Sequence, residues 1–366
     1  MTELEEKIAR LIEAAGPMSV SDYMALCLFD PEHGYYTARE PFGRGGDFIT
    51  APEVSQMFGE LVAVWLYAAW QACGAPEDAI IAEIGPGRGT LMKDMLRTLA
   101  RLDGGFAARH IAMVEASPRL AAVQKEALSG APAPGTHGQP QWYGRVEDLP
   151  ERPLFIVGNE LFDALPIHQY VKSAAGWRER VVGVGEEGAL AFMAGAGVPD
   201  PAMLPPGADA APESAVFEAA PAREALMETV AGRLAVQGGA GLFIDYGYEG
   251  PALGDTLQAV RRHAYDDALA HPGEADLTAH VDFAALARIA RGEGLAARLM
   301  PQGAFLLGLG LLGRAGRLGA DRSAEEQERI RGEVERLAGP EAMGTLFKVL
   351  AVMPRGVAVP PFDGGG

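Results

Sequence analysis

The segment Ile80-Ile81-Ala82-Glu83-Ile84-Gly85-Pro86-Gly87-Arg88-Gly89-Thr90 constrains this chain more than any other. An apolar run passes into a turn with three glycines, and helical periodicity follows over Thr90–Leu102. Glycine takes positive φ freely and lets a ligand approach the backbone where a Cβ would stand. The helix that follows offers first-turn N–H groups to an acceptor. Strand, glycine turn and helix together point to an open α/β sheet that binds its ligand at the C-terminal end of a strand. A P-loop is excluded, because Thr90 and not Lys follows Gly89. The dinucleotide pattern places its third glycine where Thr90 stands, one residue after Gly89. A nucleoside without phosphates needs the close backbone approach but not the full pyrophosphate cradle, and fits better.

Periodicity around this turn supports the same sheet. Strands are expected at Ile80–Ile84, His110–Val114, 139–146 and 154–158. They alternate with helices over Thr90–Leu102 and Pro118–Leu128, the second with proline at its first turn. Such alternation gives a doubly wound parallel sheet with helices on both faces. Upstream, Leu4, Ile8, Leu11 and Ile12 recur at helical spacing, and Ser21 is expected to cap a second helix carrying Met24 and Leu28. An aperiodic stretch rich in Gly, Pro and aromatics reads as an ordered loop over 30–50, before helical periodicity returns over 53–72. The segment 164–221 breaks the alternation, with strand-like pieces at 167–171 and 178–184 and a Pro-rich stretch at 193–212. A helix at 222–236, a buried strand at 241–245, a helix at 281–293 and a last strand at 347–352 resume the core. The expected division is an N-terminal helical region with a covering loop (1–78), a first part of the core (79–163), an insertion (164–221), a second part of the core (222–359) and a frayed tail (360–366).

Composition narrows the partners. A chain of 366 residues with 48% apolar content supports one large domain with insertions, or two. A net charge of −18 argues against nucleic acid and against an anionic membrane surface. Cys27 and Cys73 lack metal-ligand spacing and suit a reducing compartment. The start carries Glu3, Glu5, Glu6 and Glu13 and resembles neither a secretory signal nor a transit peptide. The most apolar run, 303–313, is about half of the ~20 residues a transmembrane helix needs. A soluble cytoplasmic protein with no transmembrane segment and no metal is expected.

Two further positions carry chemistry. Glu115 ends the strand His110–Val114, where a carboxylate can accept from both ribose hydroxyls. The competing reading makes it an acid at the N-terminus of the helix that opens at Pro118. Asn159-Glu160-Leu161-Phe162-Asp163 follows a strand at its ligand-binding end. Glu160 and Asp163, three apart, would share one face of a turn, and paired carboxylates bind a guanidinium through charge-assisted bonds. The competing reading has Asn159 and Asp163 shape the turn. Of the histidines, which show no metal spacing, His280 is the best site candidate.

The chain resembles the MidA family of S-adenosylmethionine-dependent methyltransferases over nearly its whole length. The resemblance runs through Gly34-Tyr35-Tyr36, Gly46-Asp47-Phe48-Ile49-Thr50, Gln56-Met57-Phe58-Gly59-Glu60 and the glycine turn. It continues through Asn159-Glu160-Leu161-Phe162-Asp163-Ala164-Leu165-Pro166, Ile244-Asp245-Tyr246-Gly247, Asp276-Leu277-Thr278-Ala279-His280 and Leu346-Phe347-Lys348-Val349-Leu350. It implies a seven-stranded class I methyltransferase core with a family-specific insertion, and S-adenosyl-L-methionine as cofactor. Mitochondrial members methylate an arginine of a core subunit of NADH:quinone oxidoreductase (complex I), so the resemblance implies a protein substrate of that kind or its bacterial counterpart. It assigns the cofactor to Glu83, Gly85, Pro86, Gly87, Gly89, Glu115, Val146, Glu147 and Asn159, with Gly46, Asp47 and Thr50 on a loop closing over it. Catalysis falls to Glu160, Asp163 and Asn159. Leu161 stands where relatives often carry an aromatic, and the second guanidinium-binding acid is either Asp163 or comes from elsewhere. A non-catalytic assembly chaperone and a small-molecule methyltransferase are the alternatives. A nicotinamide-dependent dehydrogenase is disfavoured by the early Gly89 and the lack of a Tyr-x-x-x-Lys pair.

Overall fold

Strand β1 (Ile80–Ile84) is buried at all five positions, as a strand covered on both faces must be. It belongs to a computed structural model that describes residues 2–38, 50–107, 109–129 and 139–362. The chain forms two units: Met1–Phe48 with Phe162–Ala225 and Gly250–Asp282, and Ile49–Leu161 with Leu226–Glu249 and Phe283–Gly366.

The larger unit holds β1 together with β2 (His110–Val114), β3 (Gln141–Tyr143), β4 (Leu154–Asn159), β5 (Gly239–Tyr248), β6 (Ala296–Pro301) and β7 (Phe347–Met353). Their order is β6-β7-β5-β4-β1-β2-β3. The five from β3 to β5 run parallel, and β7 is antiparallel to both β5 and β6. The chain winds outward from β1 to β3 and then returns to lay β4 on the other side of β1. This reversal opens a crevice beyond the C-terminal ends of β1 and β4, where open α/β sheets bind ligands. Helices α1 (Gln56–Ala72), α2 (Thr90–Leu102) and α3 (Pro118–Leu128) flank the glycine turn. Met57, Phe58, Leu61, Val62 and Trp65 of α1 and Leu91, Met92, Met95, Leu96 and Leu99 of α2 share one core. Gly59 lets these helices approach closely, since a Cβ there would lie 2.7 Å from Asp94 Cβ.

The smaller unit has a five-stranded antiparallel sheet. Met18–Ser19, Gly176–Val184, His168–Ser173 and Val216–Ala219 lie in that order, and Leu190–Ala194 pairs with Gly176–Val184. A three-stranded sheet, Ala264–Asp266, Gln258–Arg261 and Asp276–Thr278, accompanies it. Leu4, Ile8, Tyr23, Met24, Leu28, Val182 and Leu277 form its core.

Several boundaries differ from expectation. Ser19, not Ser21, caps the second helix (Val20–Phe29): its hydroxyl accepts from Asp22 N–H at 3.0 Å. The helix expected over 53–72 is broken at Ser55, whose extended backbone (φ −159°) separates Ala51–Val54 from α1. The third strand is shorter than 139–146, because Val146–Asp148 turns into a 3₁₀ helix. Strand β6 was not anticipated, and the helix before it is Phe283–Gly292. Residues from Pro360 do not all fray: Phe362 packs on Phe305 and Trp65 in the core. Among the described residues, no helix is long and apolar enough to cross a membrane.

Candidate active site

The glycine turn is built as its sequence demands. Gly85, Gly87 and Gly89 take φ of +64°, +53° and +80°. A Cβ on Gly85 would also stand 2.8 Å from Leu161 Cδ1. Gly85 N–H donates to Val114 O (3.1 Å) and Gly89 N–H to Pro86 O (2.7 Å), which ties the turn to β2 and closes it. Gly89 is the N-cap of α2 and brings no side-chain cap of its own, while the Met92 N–H in the first turn is taken by the Glu83 carboxyl. Glu83 is 3% exposed. Burial pushes its carboxyl up to about 8, against the pull of the Met92 N–H it accepts. Its Oε2 is buried with no partner among the described residues.

Glu115 follows β2 directly. Oε1 accepts from Ser117 N–H at 2.7 Å and Oε2 from Gln124 Nε2 at 2.9 Å. Burial raises its carboxyl above the ordinary value, while these donors and Arg119 pull it down. Both sequence readings of this acid leave a trace, because it serves Ser117 N–H ahead of α3 and stands at the sheet's ligand-binding end. After β3, Val146 is buried and Glu147 exposed. Arg233 anchors this segment by donating to the carbonyls of Glu147 (3.4 Å), Leu149 (2.9 Å) and Pro150 (2.7 Å).

At the end of β4, Asn159 is 9% exposed and donates its amide to Glu160 Oε1 at 3.1 Å. The carboxylate partner fixes which way the amide points, so the buried Oδ1, without a partner among the described residues, is the acceptor end. Glu160 sits at φ +50°, a left-handed conformation uncommon for a side-chain-bearing residue. Its N–H donates to Ile244 O (2.8 Å), and its Oε1 also accepts from Ala51 N–H (3.0 Å). Thr50 is the N-cap of the short helix that Ala51 begins, without a side-chain capping bond. Leu161 N–H donates to Asp245 Oδ2 at 3.1 Å, and Tyr246 N–H to Asp245 Oδ1 at 2.9 Å. The fully buried Asp245 therefore holds the strained corner from β5.

Hydrogen bonds thus gather Gly85, Gly87 and Glu115 into one group and Asn159, Glu160 and Ala51 into another, both at the C-terminal edge of the sheet. Asp163 belongs to the smaller unit. There its carbonyl accepts from Ala279 N–H (3.1 Å) and from the buried Arg223, which also donates to the carbonyls of Leu165, Ala279 and His280. His280 N–H donates to Thr256 Oγ1 at 2.9 Å. Gly46 and Asp47 lie outside the described residues. Among those described, no three His, Cys, Asp or Glu side chains converge to hold a metal. The sequence reading missed Gln124, Arg223 and Asp245. Only Asp245 left a signal, as an acid closing an otherwise apolar strand.

Comparison with known proteins bears on this edge. The family described as S-adenosyl-L-methionine-dependent methyltransferase matches residues 61–300. The Danio rerio protein arginine methyltransferase NDUFAF7, mitochondrial, is 35% identical over 94% of this chain and 86% of its own length. The Homo sapiens protein of the same name is 34% identical over 94% of this chain and 81% of its own. A crystal structure from Burkholderia thailandensis, bound to S-adenosyl-homocysteine, superposes with a TM-score of 0.83 at 31% identity, covering 97% of this chain and 92% of that one.

Proposed function

The chain belongs to the family of S-adenosyl-L-methionine-dependent methyltransferases, and on that premise we propose that its acceptor is an arginine side chain of a protein, in a core subunit of complex I or its bacterial counterpart. The residues at the sheet edge fit this cofactor. A nucleoside with a zwitterionic amino-acid tail brings an ammonium for an unpartnered buried acceptor such as Asn159 Oδ1 and a carboxylate for the positive end of the α2 dipole. Gly85, Pro86, Gly87 and Gly89 would hold the tail by their backbone, with Glu83 beneath them. Glu115 would receive the ribose hydroxyls, Val146 and Glu147 would edge the base, and Thr50 would border it.

The cofactor supplies a methyl group already activated on a cationic sulfur, so the chain's task is orientation and electrostatics. Glu160 carries the arginine assignment, because its carboxylate is held at a left-handed corner beyond β4. A carboxylate so fixed binds a guanidinium, orients its plane and concentrates electron density on the nitrogen facing it. Asn159 holds Glu160 in place. The proteins named NDUFAF7 are called protein arginine methyltransferases, which supports the same acceptor.

The test is transfer of labelled methyl from S-adenosyl-L-methionine to purified complex I core subunits, followed by amino-acid analysis. Symmetrically dimethylated arginine is expected. Label confined to small molecules, or bound cofactor without transfer, would overturn the reading in favour of a small-molecule enzyme or a non-catalytic chaperone.

A further inference from the structure

Gln124 is fully buried, and its side-chain amide is used at both ends. Nε2 donates to Glu115 Oε2 and to Gly87 O, each at 2.9 Å, and Oε1 accepts from Trp142 Nε1 at 2.9 Å. An indole N–H can only donate, so Trp142 fixes which end of the amide is oxygen and turns both N–H groups toward Glu115 and the glycine turn. Three elements meet on this one side chain: the turn after β1, the acid after β2, and strand β3. We infer that Gln124 is a positioning residue that presets the Glu115 carboxylate for the ribose hydroxyls and ties it to Gly87, so that the two ends of the cofactor site act as one body.

The inference rests on the reading of Glu115 as the ribose acceptor. A carboxylate offers about four lone-pair directions. The Ser117 N–H on Oε1 and the Gln124 amide on Oε2 fix its plane without exhausting them. Without Gln124 the carboxylate keeps only local main-chain donors, and part of the ordering now built into the free protein falls on the binding step. Gly87 O loses its donor in the same stroke, but the turn keeps the Gly85 N–H to Val114 O and Gly89 N–H to Pro86 O bonds that close it, so the loss falls on the ribose end. Gln124 does not touch the cofactor in this account, since each of its polar atoms is engaged within the protein.

Calorimetric titration of the whole chain tests this, with S-adenosyl-homocysteine and its analogue lacking the ribose 2′ and 3′ hydroxyls as ligands. Gln124→Leu is expected to weaken S-adenosyl-homocysteine by about tenfold, the scale of reordering one side chain on binding, and to change the hydroxyl-free analogue by less than about twofold. In a Glu115→Ala background, Gln124→Leu should have no further effect. If Gln124→Leu fails to fold, Trp142→Phe releases the amide more gently and should show the same selective loss. Equal weakening of both ligands would mark a merely structural residue and overturn the inference, as would no loss in Gln124→Leu when Glu115→Ala weakens binding. Intact affinity in Glu115→Ala would instead remove the ribose reading itself.

Discussion

Asn159 donates its side-chain amide to the Glu160 carboxylate at 3.1 Å, so neighbouring residues on opposite sides of a strand end are locked to each other. That bond needs an acceptor at Glu160 and works against any second donor placed there.

Glu160→Gln tests the acid directly. It removes the charge that would meet a guanidinium and leaves Gly85, Gly87 and Glu115 untouched. Cofactor affinity should stay within about twofold, while turnover falls by roughly 10²–10³, the scale of losing one preorganised electrostatic partner. Calorimetry and label transfer on one preparation separate the two, and unchanged turnover removes Glu160 from catalysis.

Gly85→Ala meets two obstacles, the positive φ and the Leu161 side chain. Leu161 can yield at its flexible end, but the backbone conformation costs about 1–2 kcal/mol for any side-chain-bearing residue. Tm should fall by a few degrees and cofactor affinity drop with it. Gly85→Ala combined with Leu161→Ala should recover only part of the loss. Full recovery would show that contact, and not φ, makes glycine necessary here.

Glu83 gives a pH dependence with a definite sign. Its ordinary value is 4.5, and burial raises it to about 8 in the folded chain. The folded state then holds a proton that the unfolded chain releases. The stability contributed by that proton is fully present below about pH 4.5 and is lost as pH rises through about 8. Glu83→Gln keeps the neutral shape and cannot ionise. Denaturant unfolding across pH 4 to 9 should show the variant gaining on the parent by up to a few kcal/mol at the alkaline end. Asp94, raised to about 6 by burial, titrates in both proteins and cancels from the comparison. Parallel curves would mean that Glu83 is ionised throughout.

Arg223 is 2% exposed and spreads its guanidinium over the carbonyls of Asp163, Leu165, Ala279 and His280. A lysine carries charge but not a planar fork, and cannot reach four acceptors in that geometry. Arg223→Lys should cost about 3 kcal/mol, because buried carbonyls lose their donors. Urea unfolding measures it, and a loss under about 0.5 kcal/mol, the level of an ordinary surface change, would refute this role for Arg223.

Much of the larger unit was legible because its strands are short apolar runs punctuated by glycine and proline. β1, β2, α2 and α3 have the bounds their periodicity predicts. Strand β6 escaped because Ala296–Pro301 mixes Arg298 and half-buried positions with small residues, and owes its place to pairing with β7. The acids of the site were visible as polar residues closing apolar strands. Their supports were not, because Gln124 reads as one polar position on a helix and its partners Gly87, Glu115 and Trp142 come from three other elements. Arg223 was hidden for the same reason. Its partners are carbonyls, which no side-chain pattern records.

The place of β7 governs how the protein can be made. Among the described residues Phe347–Met353 follows every other strand in sequence, yet it lies between β5 and β6. A nascent chain that has delivered every earlier strand still lacks the rung that joins β6 to the rest. β5 and β6 must wait with open hydrogen-bonding edges until Phe347–Met353 has been made. Ribosome stalling between Pro301 and Phe347 exposes two sticky edges at once, so chaperone demand should peak while that stretch is made.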